Sequence, residues 1–161
     1  MRQRSPLPQK VRKPKRRAVV DTSVLVAGIS GFREPFVPGR NLSADLLHRW
    51  AEENNFIWLL TEDILEEYKE VLKRLGVRPS RIGKVINLIR ERAEEVKVHA
   101  SAQISRDPKD DAFCLCAEFG KADFVFTLNS KDFPQTRMKA RSFLPVNSGA
   151  YLSMPEENLK Q

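Results

Sequence analysis

The sequence predicts an α/β fold, a three-layer α/β/α sandwich around a central, mainly parallel sheet of four to five strands. Short β-branched or aromatic runs are each followed by longer stretches of helical period. That alternation is the βαβ pattern of a parallel sheet covered on both faces. A lone carboxylate, Asp21, interrupts the apolar stretch "RRAVVDTSVLVAGI" near the end of the first predicted strand. Functional groups of parallel sheets collect at that edge.

The chain of 161 residues, 41% hydrophobic and 30% charged, has the length and composition of one soluble domain with a sizeable core. Its formal charge of +7 points to an acidic partner such as nucleic acid, but the charge is uneven. Residues 1–17 hold eight basic side chains and no acid, whereas residues 18–161 hold 20 basic and 21 acidic ones. The expected organisation is therefore a basic, disordered tail over 1–17, a domain over 18–155 and a short tail over 156–161. No apolar segment fits a secretory signal or a membrane span. Cys114 and Cys116 are two apart in a predicted helix, where they cannot bridge. With His48 and His99 the only histidines, a zinc site has little support, and the expectation is buried, inert thiols in a reducing cytoplasm.

Strands are expected at 18–24, 56–60, 96–99 and 123–127, with a weaker one near 142–145, and the first as the central one. Residues 28–40, with three glycines and two prolines, read as a loop. Ser43 is expected to cap a helix whose apolar stripe is Leu46, Leu47 and Trp50. Thr61 caps the next, with Glu62 and Asp63 in its first turn and Gly76 at its stop. Ser80 opens a third, lined by Ile82, Val85, Ile86 and Ile89. Asp107 and Pro108 open a fourth, which ends before Gly120.

Several acids sit awkwardly in this scheme. Asp21 needs a cation, a donor or an open crevice, and a bond to the turn through Thr22 or Ser23 would also satisfy it. In "TEDILEEYKEVLKRLG", Ile64, Tyr68, Val71 and Leu75 form the buried stripe, and Glu67 projects from its edge while Glu66 does not. In "SRDPKDDAF", Asp107 and Asp110 fit a capping-box-like arrangement. Asp110 also shares a helical face with Phe113 and Ala117, which turns it toward the sheet, whereas Asp111 points elsewhere. In "FVFTLNSKDFP", Asn129 and Asp132 follow the fourth strand on the same edge as Asp21, although turn chemistry also accounts for Asn129. Together these are oxygen ligands with no histidine or thiol among them. Such a set suits one or two Mg²⁺ or Mn²⁺ ions, which can activate water for attack on a phosphodiester.

The stretches "VVDTSVLVAGI", "ILEEYKEVLKR", "RDPKDDAF" and "ADFVFTLNSKDFP" resemble, in order and spacing, a PIN domain of the branch grouped with the toxins of toxin–antitoxin pairs. They cover most of residues 18–135. The resemblance implies a cytoplasmic, divalent-metal-dependent endoribonuclease with a cognate antitoxin and a homodimeric state. It implies Asp21, Glu67 and Asp110 as catalytic metal ligands, with Asn129 or Asp132 completing the set. Thr22 or Ser23 matches the hydroxyl that often follows the first aspartate, and Asp107 an acid often present beside the core set. Arg106, Lys109 and Lys131 flank the acids and are candidates to position phosphates of RNA. Asn129 stands where many relatives have Asp, which would weaken a second metal site, and Ser23 stands where Asn is common. Two alternatives stay open: a PIN-like module that binds RNA or protein without cutting, and a phosphate-handling α/β domain. The latter lacks the second acid two residues after Asp21 and the acidic pair that its known forms require.

Overall fold

The computed structural model describes residues 15–99, 108–129, 131, 141–143 and 145. Chain order is β1 (Arg17–Val20), α1 (Thr22–Gly28), a 3₁₀ turn (Ile29–Phe32), α2 (Leu42–Glu53), β2 (Ile57–Leu60), α3 (Glu62–Arg74) and α4 (Pro79–Arg92). There follow β3 (Glu94–Glu95), α5 (Pro108–Phe119), β4 (Phe124–Phe126) and β5 (Arg141–Phe143). The strands form one five-stranded sheet in the order β3-β2-β1-β4-β5, every pair parallel. The expected α/β sandwich is therefore present, with β1 at its centre. Helices cover both faces: Trp58 of β2 packs on Trp50 of α2 and Tyr68 of α3, while Leu59, the next residue, approaches Gly120 behind α5.

Several boundaries differ from expectation, for identifiable reasons. The strand expected at 18–24 ends at Val20, and Val24 and Leu25 are buried in α1 instead. The Asp21 carbonyl accepts from Val24 N at 3.0 Å and Leu25 N at 3.3 Å, so the chain turns helical at once. A continuous apolar run does not distinguish a buried helix from a buried strand. The expected loop at 28–40 begins as the end of α1 and a 3₁₀ turn. Gly28 permits close packing rather than a turn, because a Cβ there would lie 2.6 Å from the Ser43 carbonyl on α2. Ser43 is thus a buried residue inside α2, and Asn41 is the cap, accepting from Ala44 N at 3.1 Å.

Thr61 caps α3 as expected, accepting from Ile64 N at 3.2 Å, and Gly76 at φ +81° turns the chain toward α4. That helix starts at Pro79, one residue before the expected Ser80. The strand expected at 96–99 lies at Glu94–Glu95, an exposed edge whose two acids hid it from an apolar search. Leu46, Leu47 and Trp50 are buried in the core, as their apolar stripe implies. Cys114 and Cys116 are buried and not bridged in a disulfide, and burial pushes the Cys116 thiol up to about 12, as an inert thiol requires.

Candidate functional site at the carboxyl edge of the sheet

Central β1 delivers Asp21 to the carboxyl edge, where its N–H donates to Phe126 O at 2.9 Å and continues the pairing with β4. Asp21 is the residue before α1, yet its side chain does not cap that helix. Its carbonyl accepts the first-turn amides instead, which leaves the carboxylate for other partners. It is only 6% exposed, and an acid so buried must be satisfied.

Two hydroxyls satisfy one of its oxygens. Ser23 Oγ donates to Oδ2 at 2.7 Å and Thr127 Oγ1 donates to the same atom at 2.8 Å. Each hydroxyl is in turn fixed by a backbone amide beyond β4: Leu128 N donates to Ser23 Oγ at 3.1 Å and Asn129 N to Thr127 Oγ1 at 2.9 Å. The clamp ties the turn after β1 to the turn after β4 and sets the orientation of the carboxylate. Among the described residues no donor reaches Oδ1, so one oxygen is saturated and the other keeps its ligating capacity. Thr22 Oγ1 lies buried beside this carboxylate, with no hydrogen-bond partner among the described residues. Of the two hydroxyls offered by the sequence it is therefore Ser23, not Thr22, that holds Asp21.

Tyr68 braces the site from beneath, its hydroxyl donating to the carbonyl of Val20. Burial raises the Tyr68 pKa well above its ordinary value, and the carboxylates of Asp21 and Glu67 raise it further. The phenol stays protonated and remains a donor. Glu67, next in sequence, is partly buried on α3, while Glu66 is exposed and paired with Lys69 at 3.1 Å. Glu67 lines an open concavity of about 380 Å³ with Asp63, Glu70 and Ala112 of α5. Asp110 lies in the first turn of α5, two residues before Ala112, and Phe113 and Ala117 on the same helix are buried.

Glu67 and the start of α5 thus border one concavity, while Asp21 lies at the carboxyl end of β1. Asn129 is exposed there, with its backbone amide engaged on Thr127, and Lys131 is exposed nearby in sequence. Lys109 belongs to the first turn of α5, its side chain outside the described residues, and Arg106, Asp107 and Asp132 lie outside them altogether. Among the described residues no three His, Cys, Asp or Glu side chains form a metal-sized cluster. Asp21, with one oxygen held and one open, and Glu67 nonetheless offer the all-oxygen chemistry that a hard divalent cation takes.

Sequence reasoning missed Thr127 and placed Tyr68 in the core without a role. Thr127 carries no local signal: its place follows from the pairing of Val20 with Phe126, which brings the next residue on each strand together and sets a hydroxyl opposite Asp21.

Over residues 17–131 the sequence matches the PIN-domain family. The fold is similar to that in the crystal structure of VapBC2 from Rickettsia felis bound to a DNA fragment from their promoter. The TM-score is 0.52 at 13% identity, with 80% of this chain and 98% of the matched chain covered. No curated protein matches the sequence.

Proposed function

Because this chain belongs to the PIN-domain family, whose members are generally nucleases that use divalent metal ions, we propose that it is a Mg²⁺- or Mn²⁺-dependent endoribonuclease, the toxin of a toxin–antitoxin pair. The observation that carries the reading is the clamped carboxylate of Asp21, buried at the central strand with Oδ2 held by two hydroxyls and no donor on Oδ1 among the described residues. An acid satisfied only for its own sake has no need of that asymmetry.

In this reading Asp21, Glu67 and Asp110 hold the metal, and Asn129 or Asp132 completes its shell. A divalent ion bound there supplies an activated water for in-line attack and charge stabilisation at the departing oxygen. Ser23 and Thr127 keep Asp21 in one rotamer, which limits the reorganisation required when substrate arrives. Thr22 adds a hydroxyl beside the carboxylate, and Tyr68 holds the end of β1. Arg106, Lys109 and Lys131, with Asp107 as an accessory acid, surround the site in sequence and would position phosphates of the RNA.

The similarity to VapBC2 favours a cognate antitoxin as the protein partner, and a homodimer is the expected assembly. No helix among the described residues is long and apolar enough to cross a membrane, which accords with action in the cytoplasm. The test is cleavage of structured and single-stranded RNA by the full chain with Mg²⁺ or Mn²⁺. EDTA should stop cleavage and Asp21→Asn should abolish it, whereas unchanged cleavage by that variant overturns the assignment. The neutral, exposed Asn129 favours one second reading, a module that binds without cutting. Titration calorimetry with Mn²⁺ separates the two, because absence of binding at millimolar metal selects the non-enzyme.

A further inference from the structure

A second charged feature lies beyond the C-terminal end of α3, away from Asp21 and Glu67. Where Gly76 turns the chain into α4, an open groove of about 820 Å³ runs between that turn and the end of the 3₁₀ segment. Arg33, Arg78, Arg81 and Lys84 line it, against the single acid Glu34. The balance from residue 18 onward is 20 basic to 21 acidic side chains, so this grouping is a local segregation and not a reflection of bulk charge. Among the described residues, none of the four cations has an ion-pair partner. They crowd one another enough that partial burial and the charges of Arg33 and Arg78 lower the Arg81 pKa.

The backbone adds to the same field. The N-terminus of α4 opens into the groove through Arg78 and Ser80, and this helix of 14 residues has no acidic residue in its first turn and no side-chain cap. By contrast, the first turn of α3 carries Glu62 and Asp63, and its cap Thr61 is engaged. Pro79 has no amide hydrogen and the amides of Arg81 and Ile82 donate to Arg78 O at 2.9 and 3.0 Å, so what the groove receives from α4 is the positive end of its dipole, with no first-turn acid to offset it. Partly buried Phe32 and Val77 provide an apolar wall beside the cations.

We propose that this groove binds the phosphate backbone of single-stranded RNA as an exosite, holding the substrate away from the acids that would cut it. The proposal rests on the nuclease reading for its biological purpose but not for its measurement. Three of the four cations are arginines, whose planar guanidinium fork matches phosphate oxygens. The positive end of the α4 dipole adds to the field of the cations, and Phe32 beside them can stack a base, which an acidic peptide does not exploit. Between Glu67, midway along α3, and Arg74 at its end the rise is about 10 Å, so one strand can reach from the acids to the groove. An RNA so placed would have its phosphates attracted at one end while the acids at the other repel them until metal neutralises the site.

The experiment uses the full chain in EDTA, with a fluorescent 2′-O-methyl oligouridine that cannot be cleaved, and reads anisotropy over a range of salt. Arg78→Gln combined with Arg81→Gln should weaken binding roughly tenfold and make the log–log salt slope shallower by about 1.4, the value for two phosphate contacts on a single strand. Lys84→Gln should reduce the slope by about half as much. Arg49→Gln, which removes an exposed cation on another helix, should change neither quantity and controls for net charge. Unchanged affinity and slope in the double variant, with its thermal unfolding unaltered, would overturn the proposal. So would polyglutamate binding as tightly as the oligouridine with the same dependence on Arg78 and Arg81, which would assign the groove to an acidic protein. Binding is read in EDTA with an uncleavable strand, so failure of the nuclease reading, which is scored by metal-dependent cleavage, and failure of the exosite give different results.

Discussion

The two ends of α3 carry opposite charge and opposite physical character. Toward its start, Glu67, sixth of its thirteen residues, and Asp21 at the carboxyl edge of the sheet supply the acids, and Asp21 is buried and locked by two hydroxyls, each held by a backbone amide. Beyond its other end, Arg33, Arg78 and Lys84 are exposed and carry no ion pair among the described residues. The difference separates two uses of charge. A group that must meet a reacting atom is fixed in place at the expense of burial, whereas a group that attracts a polymer can remain solvated and mobile, since long-range attraction needs no fixed rotamer. Substitutions at the two ends should therefore fail differently, the first in rate and the second in affinity.

The largest effect belongs to the buried end. Asp21→Asn should lower metal-dependent cleavage by at least about a hundredfold with little change in RNA binding, measured as single-turnover rate and as affinity in EDTA. Thr127→Val comes next. It removes one donor from Asp21 and leaves the Asn129 amide without its acceptor, so activity should fall about tenfold and stability by about 1–3 kcal/mol in urea unfolding. Thr127→Ser, which keeps the hydroxyl, should restore most of the rate, and failure of that rescue would show that packing rather than the clamp matters. The arginine pair at the other end should raise KM for a long RNA by roughly tenfold while leaving kcat within about twofold. A drop in kcat of the size expected for Thr127→Val would erase the distinction between the ends.

Legibility in the sequence follows the same division. The central strand and Asp21 were legible because a charge inside an apolar run at a strand end violates burial rules, and Glu67 because its helical phase set it at the edge of a buried stripe. Thr61 and Gly76 were legible because cap and stop chemistry is local. Thr127 was not, since its role depends on a register between strands more than a hundred residues apart. Gly28 was misread as loop because a glycine that admits a neighbouring backbone looks the same in sequence as one that permits a turn. The basic groove was hidden for a related reason: Arg33 and Arg78 belong to separate elements, and only the tertiary fold brings their charges together.

The smallest expected effect distinguishes the buried end by alkaline pH. Tyr68 is a neutral donor to Val20, and its pKa is raised from the ordinary 10.0 by burial first, with the carboxylates of Asp21 and Glu67 adding. Above about pH 10 the unfolded chain releases this proton while the folded one retains it, so stability falls as pH rises. Cys116, raised from 9.0 to about 12 by burial, contributes the same sign and begins earlier. Tyr68→Phe loses the hydrogen bond at neutral pH, which costs about 1 kcal/mol, but it also removes the phenol from this titration. The deficit of the variant relative to the parent in urea unfolding should therefore shrink as pH passes 10 and remain constant below 9. Parallel curves for the two proteins across that range would mean that the phenol is not held neutral by the fold, and the brace under Asp21 would lose its physical basis.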